Sequence, residues 1–274
     1  GTFGSMLSPG LSHNPFVAKM AGIGVMDVIG LHMPYTLVCG VISLVGVSIV
    51  CFALGDYKKG RTEEAQTAVS DDIGRCNILK AIAPLIPVAL LVTGNLWLPA
   101  IKMGVAQAML IGAIYTLAVT LANPQEFSKQ FFNGMGKGYA DVMGIIIAAG
   151  VFAAGLRATG LIDTFVDVLK HSNDIARWGG SLGPWIMGTI TGSGDAATMA
   201  FNEAVTPHAP EFGMEIKALG ALAFLTGALG RTMSPIAGAM VVVSGIAMAN
   251  PMDVAKRTAL PCTIAVFVLA FFMV

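Results

Sequence analysis

The stretch Gly227–Val254, GALGRTMSPIAGAMVVVSGIAMANPMDV, decides the fold. It is apolar enough to lie within a membrane, yet Gly, Ser and Pro interrupt it where a helix would otherwise continue. The same pattern occurs 226 positions earlier in Gly1–Val28, GTFGSMLSPGLSHNPFVAKMAGIGVMDV, where nine of 28 positions are identical without a gap. A shared Ser-Pro break, followed in the same register by Met-Asp-Val, predicts an internal repeat of a broken helix.

Composition places this repeat in a lipid environment. The 274 residues are 55% hydrophobic and 12% charged, and sixteen basic residues balance sixteen acidic ones. A soluble domain is about 25% charged, so that class is excluded, and no basic excess supports nucleic-acid binding. Two mixed segments, Gln125–Tyr139 and Ile162–Trp178, are predicted to be interfacial helices. Five uncharged runs approach the length that crosses a bilayer: Tyr35–Leu54, Ala81–Ile101, Met103–Ala122, Val142–Leu156 and Ala259–Val274.

The charges that follow the two copies predict opposite orientations. Lys256 and Arg257 follow the second Met-Asp-Val, whereas Gly30 and Leu31 occupy the same positions after the first. Basic loops favour the cytoplasm, so the second loop is predicted to be cytoplasmic, together with the polar stretch Asp56–Arg75. The chain is therefore predicted to be an all-α polytopic membrane protein with inverted repeats, the architecture of secondary transporters. The predicted organisation is one transmembrane transporter domain over residues 1–274, with the end of the first repeat at 1–34 and the second repeat at 76–274.

A third interrupted segment, Gly183–Val205, contains Thr-Gly-Ser-Gly-Asp at residues 191–195. Such a sequence is typical of a turn between two short helices, and we expect a re-entrant hairpin over Gly183–Thr206. Irregular backbone at membrane depth is stable only where protein or a water-filled cavity surrounds it. The amides of Gly192, Ser193 and Gly194, at the positive end of the following helix, would then favour an anion. Alternatively, these glycines serve only to let helices pack closely.

Four motifs resemble those of a known family: Ala148–Ile162, Thr191–Ala204, Leu229–Ala247 and Asn250–Pro261. Through them the chain resembles the DcuC-type anaerobic C4-dicarboxylate carriers, members of a wider ion-transporter superfamily, over essentially all of its length. The resemblance implies import, efflux or exchange of fumarate, succinate, malate or aspartate across the bacterial cytoplasmic (inner) membrane, driven by protons, sodium or counter-substrate. It also implies a multi-pass homodimer. Family members are longer at the N-terminus, so the first scaffold helices and first re-entrant hairpin are expected to be missing here.

Candidate substrate ligands lie at the three interruptions. Arg231 is the only charged residue between Ala218 and Met252, and its planar guanidinium suits a carboxylate. Alternatively, Arg231 forms a structural ion pair with Asp195 or Glu203, or reaches a water-filled vestibule. Coupling to protons or sodium is assigned to Asp195, Glu203 and His13. The full predicted set for substrate binding is Ser5, Ser8, Pro9, Ser193, Gly194, Asp195, Thr198, Asn202, Arg231, Thr232, Ser234 and Pro235.

The predicted architecture also fits other functions. A fold does not fix its substrate, so a cation/proton antiporter or another organic-anion carrier of the same superfamily fits the architecture. Gly192–Asp195 also spells the GxGD motif of intramembrane aspartyl proteases. However, Tyr139-Ala140-Asp141 breaks the Tyr-Asp motif such proteases need, and no Pro-Ala-Leu sequence occurs, so the chain is predicted not to be an enzyme. The four cysteines lack CxxC spacing, and no cofactor or metal site is predicted.

Overall fold

A computed structural model describes residues 2–56, 77–96, 103–161, 164, 167 and 173–273. These residues form helices joined by turns, with no strand among them, which confirms the all-α prediction. Two short 3-10 turns, Ala83–Leu85 and Thr206–Phe212, also occur. In chain order the α-helices are α1 (Thr2–Met6), α2 (His13–Ala21), α3 (Val25–Ala53), α4 (Ile78–Ile82), α5 (Ile86–Leu96), α6 (Val105–Thr120), α7 (Pro124–Ala158), α8 (Asn173–Thr191), α9 (Gly194–Ala204), α10 (Ile216–Met233), α11 (Gly238–Ile246) and α12 (Pro251–Phe272).

The first break separates α1 from α2 around Ser8 and Pro9. Proline has no amide hydrogen to donate and its ring crowds the preceding turn, which favours a break at this position. The side chain of Asn14, buried in the first turn of α2, instead donates to the carbonyl oxygens of Met6 (3.0 Å) and Ser8 (2.9 Å). Gly22, with a φ of +66°, then ends α2 in the left-handed conformation that favours glycine.

The second break separates α10 from α11, where Ser234 is extended and Pro235 follows it. The structure thus contains the interruption that the Ser-Pro motif predicts. The helix ends also recur at nearly constant spacing. Helices α1 and α10 end at residues 6 and 233, α2 and α11 begin at 13 and 238, and α3 and α12 begin at 25 and 251. These separations of 227, 225 and 226 residues match the sequence offset within one residue.

Helices α8 and α9 form a helical hairpin. Gly192 turns the chain at the tip with a φ of +69°, and Ser193 caps α9 by accepting a hydrogen bond from the amide of Ala196 at 3.2 Å. The described part of the first arm reaches back to Asn173, ten residues before the predicted start at Gly183. The helix continues through this region because the polar residues that precede Gly183 do not interrupt its hydrogen bonds.

The two predicted interfacial helices have different outcomes. Gln125–Tyr139 and the predicted span Val142–Leu156 belong to one continuous helix, α7, of 35 residues, so their separation was wrong. No proline lies between them, and a change from polar to apolar composition does not interrupt a helical ladder. Most of Ile162–Trp178 lies outside the described residues, and its end lies inside α8.

Helix α10 is the centre of the described fold and packs against α2, α8, α9 and α12. Its residues from Leu219 to Gly227 are all buried. Glycine permits the closest crossing, because a Cβ at Gly230 would collide with the carbonyl oxygen of Trp185, and one at Gly188 would lie 2.5 Å from that of Gly227. Helices α8 and α10 can therefore pack backbone to backbone.

Helices α3 and α12 are the two described helices that are long and apolar enough, by length and composition, to cross a membrane. They run antiparallel. The Cys39 thiol in α3 donates to the carbonyl oxygen of Ala265 in α12 at 3.7 Å. Arg257, near the start of α12, donates through two nitrogens to both carboxylate oxygens of Asp56, just after α3, at 2.6 Å each. The end of α3 and the start of α12 therefore lie on the same side of the molecule.

Candidate functional site

The hairpin tip brings a helix start toward the two breaks. The Thr191 hydroxyl oxygen accepts a hydrogen bond from the amide of Ser193 at 3.2 Å, and the Ser193 hydroxyl oxygen accepts one from the amide of Ala196. Those two bonds leave the first-turn amides of Gly194 and Asp195 for other acceptors. The first turn of a helix carries partial positive charge, so these two amides can bind an anion.

Three side chains from three different segments meet at this tip. His13, from the first turn of α2, places Nε2 2.9 Å from Oδ1 of Asp195 in α9. Arg231, near the end of α10, places Nη1 3.8 Å from Oδ2 of the same carboxylate. His13 is buried at 1% exposure, whereas the side chains of Asp195 and Arg231 are 41% and 42% exposed. The Asp195 carboxylate thus contacts both the buried imidazole of His13 and the guanidinium of Arg231, which is accessible to other ligands.

Aromatic packing fixes the imidazole. The ring of His13 stacks on Phe224 of α10 with centroids 4.7 Å apart and an interplanar angle of 27°. The Nδ1 atom of His13 is buried and has no hydrogen-bond partner among the described residues. The ring therefore makes its polar contact through Nε2, toward Asp195.

The two breaks meet beside this cluster. The hydroxyl oxygens of Thr232 and Thr2 lie 3.0 Å apart, so α1 contacts the end of α10. Ser234 is fully buried, and its hydroxyl has no partner within the described part of the chain. A buried hydroxyl without a partner is costly, which makes this break a place where a ligand could supply the missing hydrogen bond.

The sequence matches the family described as C4-dicarboxylate anaerobic carrier, DcuC, over residues 2–274. The chain belongs to the DcuC family. The family is one of transporters, which confirms the resemblance seen in the motifs and the prediction that the chain is not an enzyme. The membrane environment predicted from composition agrees with this membership.

Individual relatives differ in how much of their length the DcuC-family chain covers. An uncharacterized transporter of Haemophilus influenzae is 46% identical over 278 residues, covering 98% of this chain and all of that protein. The anaerobic C4-dicarboxylate transporter DcuC of Escherichia coli K12 is 27% identical over 89% of this chain and 55% of its own length. A probable DcuC transporter of Vibrio cholerae is 27% identical over 74% and 47%, respectively. The chain spans about half the length of these DcuC transporters. No solved structure matches.

Some predicted ligands of the DcuC-family chain are engaged in packing α9 on α10. The Thr198 hydroxyl donates to the carbonyl oxygen of Ala223 at 3.3 Å. The Asn202 amide donates to the carbonyl oxygen of Gly220 at 3.3 Å and accepts from the Thr206 hydroxyl at 2.7 Å. Thr198 and Asn202 are fully buried, so their polar groups face α10 rather than the charged cluster. Their assignment to substrate binding stays a prediction.

The remaining predicted residues divide between the breaks and the far end of α9. The Ser5 hydroxyl donates to the carbonyl oxygen of Thr2 at 2.7 Å, and that of Ser8 accepts from the amide of Gly10 at 3.4 Å. Pro9 is buried and Pro235 is half-buried in the respective breaks. Glu203 lies eight residues after Asp195, about 12 Å along the helix, and its carbonyl oxygen accepts from Arg157. Glu203 is therefore apart from the cluster.

Sequence reasoning missed the residues that support the cluster. His32 and Thr36, inside the apolar helix α3, and Phe224, inside α10, received no role. The signal available for His32 was a single ionisable residue within an otherwise uncharged span, which in a membrane protein indicates a functional position. Within the described residues, no group of three His, Cys, Asp or Glu side chains lies close enough to hold a metal ion.

A cavity of about 610 Å³ lies between α7 and the hairpin, and His13, Asp195 and Arg231 are not among its lining residues. Phe152, Leu156, Met187 and Phe201 are among its lining residues, which are almost entirely apolar. A dicarboxylate needs charged or hydrogen-bonding partners, because an unpaired carboxylate in an apolar site costs many kcal/mol. This cavity is therefore unsuited to the substrate.

Proposed function

We propose that the chain is a secondary transporter of C4-dicarboxylates in the bacterial cytoplasmic membrane, working by alternating access around His13, Asp195 and Arg231. The observation that carries the proposal is that this cluster joins all three interrupted segments. Interrupted helices that meet within the membrane are how many secondary transporters build their sites. Family membership and the C4-dicarboxylate transporters among the relatives support the substrate class.

Arg231 supplies the permanent positive charge of the proposed site. Its contact with Asp195, 3.8 Å, is longer than a hydrogen bond, and its side chain is partly exposed. The guanidinium fork thus keeps donors that match the two oxygens of a carboxylate. A substrate carboxylate would replace the loose contact with Asp195, while Asp195 keeps its closer contact with His13. The hydroxyl of Ser234 and the tip amides are proposed as further ligands.

His13 and Asp195 supply a charge that depends on a proton. With a neutral imidazole, the carboxylate and the guanidinium cancel, and the cluster has no net charge. With a protonated imidazole, the cluster carries one positive charge and attracts a dianionic substrate more strongly. Two ligands that each strengthen the binding of the other are thermodynamically coupled, so we propose proton-coupled transport. Glu203, at the far end of α9, remains a separate candidate for coupling.

We further propose that the two broken helices are related as inverted repeats. The contact between Cys39 and Ala265 joins positions that are 226 residues apart, which is the repeat offset. Equivalent positions touch where a twofold axis passes between them. The antiparallel arrangement of α3 and α12, the helices that follow the two breaks, is what an axis in the membrane plane produces.

Transport by the purified chain in liposomes tests the proposal. Labelled succinate would be offered under an imposed proton gradient, a sodium gradient or a load of unlabelled counter-substrate. We expect uptake that an inward proton gradient stimulates and that Arg231→Gln weakens. Lys256→Gln, which removes an exposed cation outside the site, is the matched control.

Other outcomes of the same experiment separate the alternatives. Sodium-for-proton exchange without succinate uptake would favour the cation/proton antiporter. Stimulation by sodium or by counter-substrate alone would replace proton coupling while keeping the substrate class. Absence of dicarboxylate movement under all three conditions would contradict the proposed function.

A further inference from the structure

A buried polar network lies behind the first break, away from the proposed substrate. Asn14, His32 and Thr36 are each at most 1% exposed. Besides its two bonds to the carbonyl oxygens of the break, Asn14 places Oδ1 3.2 Å from Nε2 of His32. The other ring nitrogen of His32, Nδ1, lies 3.1 Å from the Thr36 hydroxyl oxygen. The network therefore connects the break to the first half of the apolar helix α3.

The partners of Asn14 fix the direction of these hydrogen bonds. Carbonyl oxygens only accept, so the Asn14 amide nitrogen must face Met6 and Ser8, and its oxygen must face His32. His32 Nε2 must then carry a hydrogen and donate it to Asn14. The Thr36 hydroxyl lies within reach of both Nδ1 and the carbonyl oxygen of His32. Every member of the network thus has a partner, as a buried polar network requires.

The second break is held differently. Met6 and Thr232 stand 226 residues apart, each at the end of the helix that precedes a break, and both carbonyl oxygens accept a side-chain hydrogen bond. At Thr232 the donor is the Thr258 hydroxyl, at 3.4 Å, which also lies 3.1 Å from the carbonyl oxygen of Ala255 in its own helix. Thr258 stands 226 residues after His32. The same position in the following helix therefore supports the break in both segments, directly in one and through Asn14 in the other.

The same network reaches the charged cluster by two contacts. His13 and Asn14 are consecutive in the first turn of α2, so fixing the Asn14 amide also fixes the backbone of His13. Phe224 stacks on His13 with one face, and its ring meets that of His32 edge-on with centroids 6.1 Å apart. A change at His32 therefore reaches His13 through the backbone of α2 and through the ring of Phe224.

We propose that Asn14, His32 and Thr36 are positioning residues that hold the first break open and keep His13 against Asp195. The inference rests on the proposed function for its transport consequence, but not for its structural one. None of the three is proposed to touch the substrate. They act through His13, and through the carbonyl oxygens that the broken helix leaves to be satisfied.

The transport test compares two replacements of His32. His32→Leu removes the donor to Asn14, and we expect the KM for succinate to rise about tenfold with a much smaller change in maximal rate. His32→Gln retains an amide N–H that can reach Asn14, and should restore most of the affinity. Ser48→Ala is the control on the same helix, because the Ser48 hydroxyl is exposed and donates to the carbonyl oxygen of Leu44.

A cross-linking test measures the positioning without any transport. Cysteines introduced by His13→Cys and Asp195→Cys, in a chain without native cysteines, would be treated with a short bifunctional thiol reagent. We expect His32→Leu to slow cross-linking severalfold and Ser48→Ala to leave it unchanged. If the protein carries no dicarboxylate, this measurement still decides the positioning role.

Equal cross-linking rates and equal KM values for His32→Leu and the parent chain would overturn the inference. If His32→Leu fails to insert into the membrane, Thr36→Val replaces it, because valine keeps the side-chain shape and removes only the hydroxyl. Slower cross-linking in Thr36→Val than in Ser48→Ala would then support the positioning role. Equal rates in those two variants would overturn it.

Discussion

Replacing Arg231 with glutamine is the most direct test of the proposed site. The variant keeps a polar side chain of similar length and loses the permanent charge. Its effect on folding should be small, because the pair with Asp195 is 3.8 Å long and both side chains are about two-fifths exposed. Pairs of that kind contribute about 0–1 kcal/mol to stability. Asp195 also retains its contact with His13.

The expected effect on substrate binding is larger. Loss of a hydrogen bond between charged groups costs about 1.5–3 kcal/mol, or roughly ten- to a hundredfold in affinity. The exposure of Arg231 favours the lower end of that range, since water can partly replace the lost donor. We therefore expect the KM for succinate to rise at least about tenfold. Arg231→Lys should recover little of this loss, because an ammonium cannot bind both carboxylate oxygens as a planar fork does.

Initial rates of labelled succinate uptake, measured over a concentration series in liposomes, give the KM directly. Lys256→Gln and the parent chain provide the reference, and equal amounts of inserted protein must be verified for each variant. A KM for Arg231→Gln equal to that of Lys256→Gln would refute the reasoning. The tip amides and the hydroxyls of the breaks would then be the remaining anion ligands.

Three further predictions concern packing and orientation. Gly230→Ala would press a Cβ against the carbonyl oxygen of Trp185, so the melting temperature in detergent should fall by an amount equivalent to about 1–3 kcal/mol, whereas Gly245→Ala, with nothing within 4 Å of the new atom, should not lower it. Equal destabilisation of both variants would contradict the close crossing of α8 and α10. Asn202→Ala should cost about 1–3 kcal/mol of stability with an unchanged KM, because Asn202 bonds Gly220 and Thr206, and a raised KM at full stability would instead support its assignment to the substrate. In intact cells, an impermeant thiol reagent should label a cysteine at Arg177 but not one at Lys256, and labelling of both would contradict the inverted orientation.

The sequence was sufficient to predict the interruptions because proline and glycine act locally. Pro34, Pro184 and Pro261 lie inside continuous helices, so proline alone does not end a helix, and the repeated Ser-Pro pattern was the informative signal. Gly192 permits a backbone conformation that other residues rarely adopt. The extension of α8 to positions before Gly183 and the continuity of α7 were not predictable in the same way. No local signal marks either feature, and hydrophobic content alone does not say where a helix ends.

The chemical contacts of the site needed the three-dimensional structure. Asp195 and Arg231 were recognisable as charges in apolar surroundings, and an ion pair between them was one of the sequence alternatives. The contact of Asp195 with His13, 182 positions away in the chain, depends on how α2 packs beside α9 and α10. The same holds for Asn202. A polar residue on a short helix gives the same sequence pattern whether its side chain faces a substrate or the carbonyl oxygens of the neighbouring helix.

The uncharged length of α3 is greater than the thickness of the hydrocarbon layer of a typical bilayer. Its 29 residues extend about 43 Å, and no charge lies between Asp27 and Asp56, whereas the hydrocarbon layer is about 30 Å thick. A helix that is longer than this layer must tilt or thicken the surrounding lipid, at a cost for each ångström of mismatch. Because Asp56 is bound to Arg257, any change in the tilt of α3 also moves the start of α12. If the proposed alternating access changes the tilt of α3, lipid chain length enters the energy difference between the two states.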